Sequence, residues 1–160
     1  MKTFFMAFVL VVSMGCSATN EHTDVTKDFT GVISTEALIA EYPQFQSVYE
    51  SYEPTEAEIT AIKSIEGKSI MVLFGTWCHD SEREVPRLLK LLERAGVTLK
   101  SLSLVGVDRN KQEPGNRHSQ FELRYTPTII LLDGNKELGR VIERPQVSLG
   151  EDLQVFVSLQ

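Results

Sequence analysis

The polar and apolar positions of this chain change rhythm at Ile70-Met71-Val72-Leu73-Phe74, an apolar run with no polar alternation. Such a run predicts a central strand buried on both faces. Behind it, Val85, Leu88, Leu89, Leu91 and Leu92 recur at helical spacing as far as Ala95-Gly96, where glycine ends the helix. Pro86 inside that stretch removes one backbone donor and predicts a kink. Thr98 to Val107 predicts a second strand, closed by Asp108-Arg109-Asn110, and Lys111 to Ser119 a polar loop around Pro114-Gly115. Gln120 to Arg124 reads as a helical turn or short helix. Thr128 to Leu132 is a third strand, Asp133-Gly134-Asn135 a hairpin turn, and Glu137 to Glu143 the returning strand. Ser148 with Glu151 forms a capping box that opens a C-terminal helix with Leu153, Phe156 and Val157 on one face.

Upstream of the first strand the pattern is helical. Ser34 and Thr35 precede Glu36 to Ala40 as cap and short helix, interrupted near Pro43. Phe45, Val48, Tyr49 and Tyr52 then recur at helical spacing, as packing aromatics. Thr55 and Glu58 make a capping box before the stripe Ile59, Ile62, Ile65, and Gly67 ends that helix. A βαβ unit followed by a hairpin and a terminal helix gives an α/β fold, with a mixed sheet of about four strands between helices. Neither an internal repeat nor a second-domain boundary is visible.

The first residues follow a different logic. Met1-Lys2-Thr3 is a positive start, Phe4 to Val12 an uncharged apolar core, and Ser13-Met14-Gly15-Cys16 follows. The core is far shorter than the roughly 20 residues that span a bilayer and suits an export signal. Gly15 before Cys16 resembles the lipobox of bacterial lipoproteins, although Ser13 stands where that motif usually has Leu or Val, with Val12 one step further back. The resemblance implies cleavage after residue 15 and acylation of Cys16; an ordinary signal peptide cut nearby is the alternative. Ser17 behind the cysteine resembles the signal for sorting to the outer membrane, so the expected location is the periplasmic face of a Gram-negative envelope. Residues 16–30 are polar and aperiodic, as in a flexible tether.

Composition narrows the partners. The 160 residues carry a net charge of -6, which argues against nucleic acid or an anionic membrane surface. Any membrane contact would come through an anchor on Cys16. With two cysteines in the chain, one of them in the leader, Cys78 stands alone in the body. A disulfide framework and a zinc site built on several thiolates are both excluded.

Candidate chemistry gathers at Gly75-Thr76-Trp77-Cys78-His79-Asp80-Ser81, where strand hands over to helix. The unpaired N–H groups of a helix start favour a thiolate. Asp80, Glu82 and Glu84 oppose that effect, and a protonated His79 would offset them. The residues support a reactive thiol and leave the balance open. A buried inert thiol is the plain alternative. Cys78 with His79 or His118 makes a poor metal chelate, so no metal and no cofactor are expected.

Val72 to Cys78 resembles the strand and Trp-Cys entry of thioredoxin-like proteins. Pro86 stands where that family has its helix-kinking proline, and Tyr125-Thr126-Pro127-Thr128 is similar to its cis-proline loop. Asp108 closes its strand as in the family's Val-Asp-x-Asn segment. The resemblance covers residues 68–160 and makes 31–67 a helical N-terminal extension. Pro127, if cis, would set the Thr126 backbone opposite Cys78, where a substrate strand could pair; an ordinary strand-start proline is the alternative. Trp77, His79 and Asp80 would line the same groove.

Two positions depart from the family. The second cysteine is replaced by Ser81, giving Cys-x-x-Ser, and the buried acid aligns with Val72. Ser81 could turn its hydroxyl to the sulfur and stabilise the thiolate. The resemblance implies a monothiol thiol-disulfide oxidoreductase acting on a protein or low-molecular-weight thiol or disulfide. The competing readings are a non-catalytic, chaperone-like binding module on the same fold, and a scaffold subunit docking through residues 31–67.

Overall fold

The computed structural model describes residues 28–160. The expected leader 1–15, Cys16 and the tether as far as residue 27 lie outside the described residues. Five strands form one sheet: β1 (Gly31–Ile33), β2 (Ser69–Phe74), β3 (Ser101–Gly106), β4 (Thr128–Asp133) and β5 (Lys136–Ile142), in the order β1-β3-β2-β4-β5. β2 runs parallel to β3 and antiparallel to β4, so the apolar run is central, as its lack of alternation predicts. β1 was not expected. It is a three-residue edge strand, antiparallel to β3, with Val32 largely exposed.

Among the described residues, six α-helices accompany the sheet: α1 (Thr35–Glu41), α2 (Pro43–Ser51), α3 (Glu56–Ile62), α4 (His79–Ala95), α5 (Arg117–Gln120) and α6 (Leu149–Ser158). Their starts are set by local chemistry. Ser34 accepts the Ala37 amide at 3.1 Å, Pro43 opens α2, and Thr55 and Glu58 form a reciprocal capping box. Glu58 also accepts the Tyr52 hydroxyl at 2.6 Å, fastening the end of α2 to the start of α3. Gly96, at φ 64°, closes α4 in the left-handed conformation, and α4 continues through Pro86. Ser148 accepts the Glu151 amide at 3.2 Å to open α6.

The pleat divides the core. Ile70, Val72 and Phe74 of β2 face a large cluster that includes Leu38, Phe45, Ile62, Leu88, Leu104, Ile129 and Leu153. Leu73, Val105 and Ile130 face the other way, where Met71, Phe121, Leu123 and Leu132 cover them. Leu38, Phe45, Ile62 and Ile65 are fully buried in the large cluster, so the helical segment 31–67 shares one core with residues 68–160. Phe29, at the end of the expected tether, packs against it too, edge-on to Tyr42.

Helix α5 begins at Arg117, inside the loop expected over 111–119. The cause lies upstream. The Glu113 carboxylate is buried and accepts the amides of Gly115 (2.5 Å) and Arg117, turning the chain into a helical start. His118 Nδ1 accepts the Glu113 amide at 3.3 Å and closes the turn from the other side.

Candidate functional site

β2 ends at Phe74, and Gly75 to Cys78 cross the end of the sheet before α4 begins. Cys78 is the N-cap of α4, in extended conformation, and its carbonyl accepts the Glu82 amide at 2.9 Å. The sulfur is therefore at the end of the helix where backbone N–H groups are unpaired. It is half-buried and free. The Thr126–Pro127 peptide is cis, and the Cys78 thiol donates to the Thr126 carbonyl at 3.1 Å. The two motifs far apart in sequence are thus brought into contact.

Trp77 packs back under the loop. Its indole N–H donates to the Val107 carbonyl at 3.0 Å, at the end of β3. A Cβ on Gly75 would lie 2.6 Å from the ring, so glycine is needed there for the close approach. Thr76 is buried, and its carbonyl accepts the Gln44 side-chain amide at 3.3 Å.

His79 and Asp80 stand at the open side of the site. The His79 side chain is 96% exposed and meets Glu82 at 3.1 Å. Asp80 pairs with Arg83 at 2.7 Å. Arg83 also holds the buried Glu84 at 2.6 Å, with Arg87 on the same carboxylate at 3.3 Å, so the acids of the first turns are largely engaged by arginine. Ser81 differs from expectation. It is fully buried, and its hydroxyl accepts the Gly75 amide at 3.2 Å instead of bonding the Cys78 sulfur. The inward face of α4 and the turn of the loop fix that direction, which the spacing Cys-x-x-Ser alone could not give.

His118 belongs to the Glu113 turn and not to the thiol site. Among the described residues, no group of three or more His, Cys, Asp or Glu side chains gathers as a metal site. Several contacts of the site were invisible in sequence: Gln44 on Thr76, Phe29 N–H on Thr76 Oγ1 at 3.2 Å, and Arg109 over the Trp77 ring at 5.4 Å. Each joins residues separated by long stretches of chain, and no local pattern marks them.

A family model described as Thioredoxin matches residues 32–150. No curated protein matches the chain. Solved structures similar to it include an HIV epitope-scaffold, 18% identical with a TM-score of 0.46. Another is a protein of unknown function from Pseudomonas aeruginosa, 19% identical with a TM-score of 0.46. In both cases 77% of this chain and 79% of the other are covered.

Proposed function

The chain belongs to the thioredoxin family, and from that premise we propose that it is an exported monothiol protein that forms and passes on mixed disulfides through Cys78. The observation that carries the reading is the half-buried thiol at the start of α4, 3.1 Å from the carbonyl of Thr126, with serine at position 81. The Cys78 thiolate attacks one sulfur of a disulfide. A new S–S bond forms to Cys78, the old one breaks, and the other sulfur leaves as a thiolate that takes up a proton. With Ser81 in place of a second cysteine, the adduct waits for an external thiol. That thiol attacks the substrate sulfur, carries the substrate off as a new disulfide and returns Cys78 as thiolate. Electrons balance between the incoming disulfide and thiol, and the protein is unchanged.

Trp77, His79 and Asp80 line the groove on which the substrate lies in this reading, and the buried Thr126 and Pro127 back it through the Thr126 carbonyl beside the sulfur. Export and acylation of Cys16 are part of the proposal, with the domain facing the periplasm from the outer membrane. The segment Ser17 to Asp28 reaches at most about 40 Å, so an anchor at Cys16 keeps Cys78 close to the bilayer. Labelling with a radioactive fatty acid tests the anchor: Cys16→Ala should lose the label and leave the membrane fraction.

The central test is mass spectrometry of the purified protein after incubation with oxidised glutathione. A glutathione adduct on Cys78 at neutral pH is expected. Modification seen only after denaturation would sink the reading. A non-catalytic binding module is the second reading, supported by the way Ser81 is committed to the Gly75 amide and not to the sulfur. Cys78→Ala separates the two, because a binding module keeps its partner and a mixed-disulfide protein loses it.

A further inference from the structure

The residues just before β1 make one contact with the thiol loop and two with the end of β3 and the turn after it. Phe29 donates its amide to Thr76 Oγ1 at 3.2 Å, two residues before Cys78. Its ring and carbonyl lie against Gly106, where a Cβ would come within 2.6 Å of the ring. Asp28 grips Arg109 with both carboxylate oxygens, at 3.0 Å to Nε and 3.3 Å to the terminal nitrogen. The same guanidinium lies over the Trp77 ring, 5.4 Å from its centre. Arg109 is thus held between a carboxylate on one side and the indole on the other.

From this we propose that Asp28, Phe29 and Arg109 form an N-terminal strap that positions Trp77 and, through it, the loop carrying Cys78. They are positioning residues, since they act through Trp77 and Thr76 and do not touch the sulfur. The inference deepens the reading of Cys78 as the working thiol, but its geometry stands whether or not the thiol turns over. The planar fork of Arg109 suits this place: two of its nitrogens pair with a carboxylate while its charge lies over the indole. A lysine would keep the charge and lose the fork. Trp77 is also held by its N–H bond to Val107 and by its close approach to Gly75.

Trp77 is the only tryptophan, so its emission reports on the strap without interference. The test compares the full chain with Asp28→Ala, Asp28→Glu and Arg109→Lys. The readouts are acrylamide quenching of Trp77 and the rate at which iodoacetamide alkylates Cys78, alongside the midpoint of thermal unfolding. In Asp28→Ala, quenching should rise and alkylation should change by about two- to fivefold, the range that the free energy of an exposed ion pair allows. Asp28→Glu should restore both, and Arg109→Lys should not. Quenching and alkylation that stay at parent values in Asp28→Ala, or that move only in step with a fall in thermal stability, overturn the strap. Neither readout needs disulfide exchange, so a chain that fails the glutathione test and passes this one refutes the function and keeps the strap.

Discussion

Ser81 lies one helical turn beyond Cys78, and its buried hydroxyl accepts the Gly75 amide at 3.2 Å, so the residue serves the backbone of the loop that presents the thiol. Placing a thiol there tests what the serine withholds. In Ser81→Cys, an adduct at Cys78 has an internal attacker one turn away, and oxidised glutathione should leave an intramolecular disulfide with only transient adduct. The parent should hold its adduct until external thiol is added. Mass spectrometry under acid quench distinguishes the two, and equal adduct lifetimes would mean that position 81 does not reach the sulfur.

Glu113 is the second residue whose role is electrostatic. Burial alone would raise its carboxyl. The amides of Arg117 and Gly115, the His118 side chain and the Arg117 charge outweigh that and hold it below the ordinary 4.5. A carboxylate lowered in the folded state contributes stability above its unfolded value and loses it as pH falls through the folded one. Glu113→Gln should therefore cost about 1–2 kcal/mol at neutral pH, by weakening two amide bonds to a charged acceptor. The gap between parent and variant should stay constant down to about pH 4.5 and close below it. Urea unfolding of both proteins from about pH 2.5 to about pH 7 measures it.

Between elements, α6 comes close to the backbone of α3. A Cβ on Gly150 would lie 2.5 Å from the Glu58 carbonyl, which is backbone and cannot swing aside. Gly150→Ala should destabilise by about 1–3 kcal/mol through displacement of α6, read as a lower urea midpoint with an unchanged slope. This glycine also marks the limit of sequence reading here. Ser148 and Glu151 announce the start of α6 because a capping box is local, whereas Gly150 has meaning only once α3 is known to lie against it. The same division runs through the molecule. Cys78 and Pro127 were legible because the short motifs around them resemble those of thioredoxin-like proteins. β1 was not, because Gly31 to Ile33 carry no period and gain their structure by pairing with β3. Nor were Asp28, Gln44 and Arg109, whose partners lie far away in the chain. The start of α5 was misplaced for a related reason: the acceptor that organises it, Glu113, stands before the helix and outside any standard cap.

At the scale of the molecule, the two faces of the sheet are covered unequally among the described residues. α1 to α4 and α6 contribute to the large core, while Leu73, Val105 and Ile130 on the opposite face rely on Phe121, Leu123, Met71 and Leu132. The cover from Phe121 and Leu123 is fastened at one point by Arg140, which donates to the Phe121 carbonyl at 2.8 Å while Glu137 orients it through two oxygens. That segment runs on directly into Tyr125, Thr126 and Pro127, so the thin side of the fold is also the side that supplies the carbonyl opposite Cys78. Such a segment, with few buried contacts, belongs to the low end of local stability. Arg140→Ala removes the clamp and should lower the protection of amides in residues 120–124 by about five- to tenfold, as loss of one hydrogen bond of about 1 kcal/mol allows. The amides of β2, which open only with global unfolding, should change no more than the overall stability does. Hydrogen exchange followed by mass spectrometry resolves the two regions. Equal loss of protection in both would mean that the cover and the central strand unfold as one unit, and that the thin side of the sheet has no independent freedom to move the Thr126 carbonyl relative to the thiol.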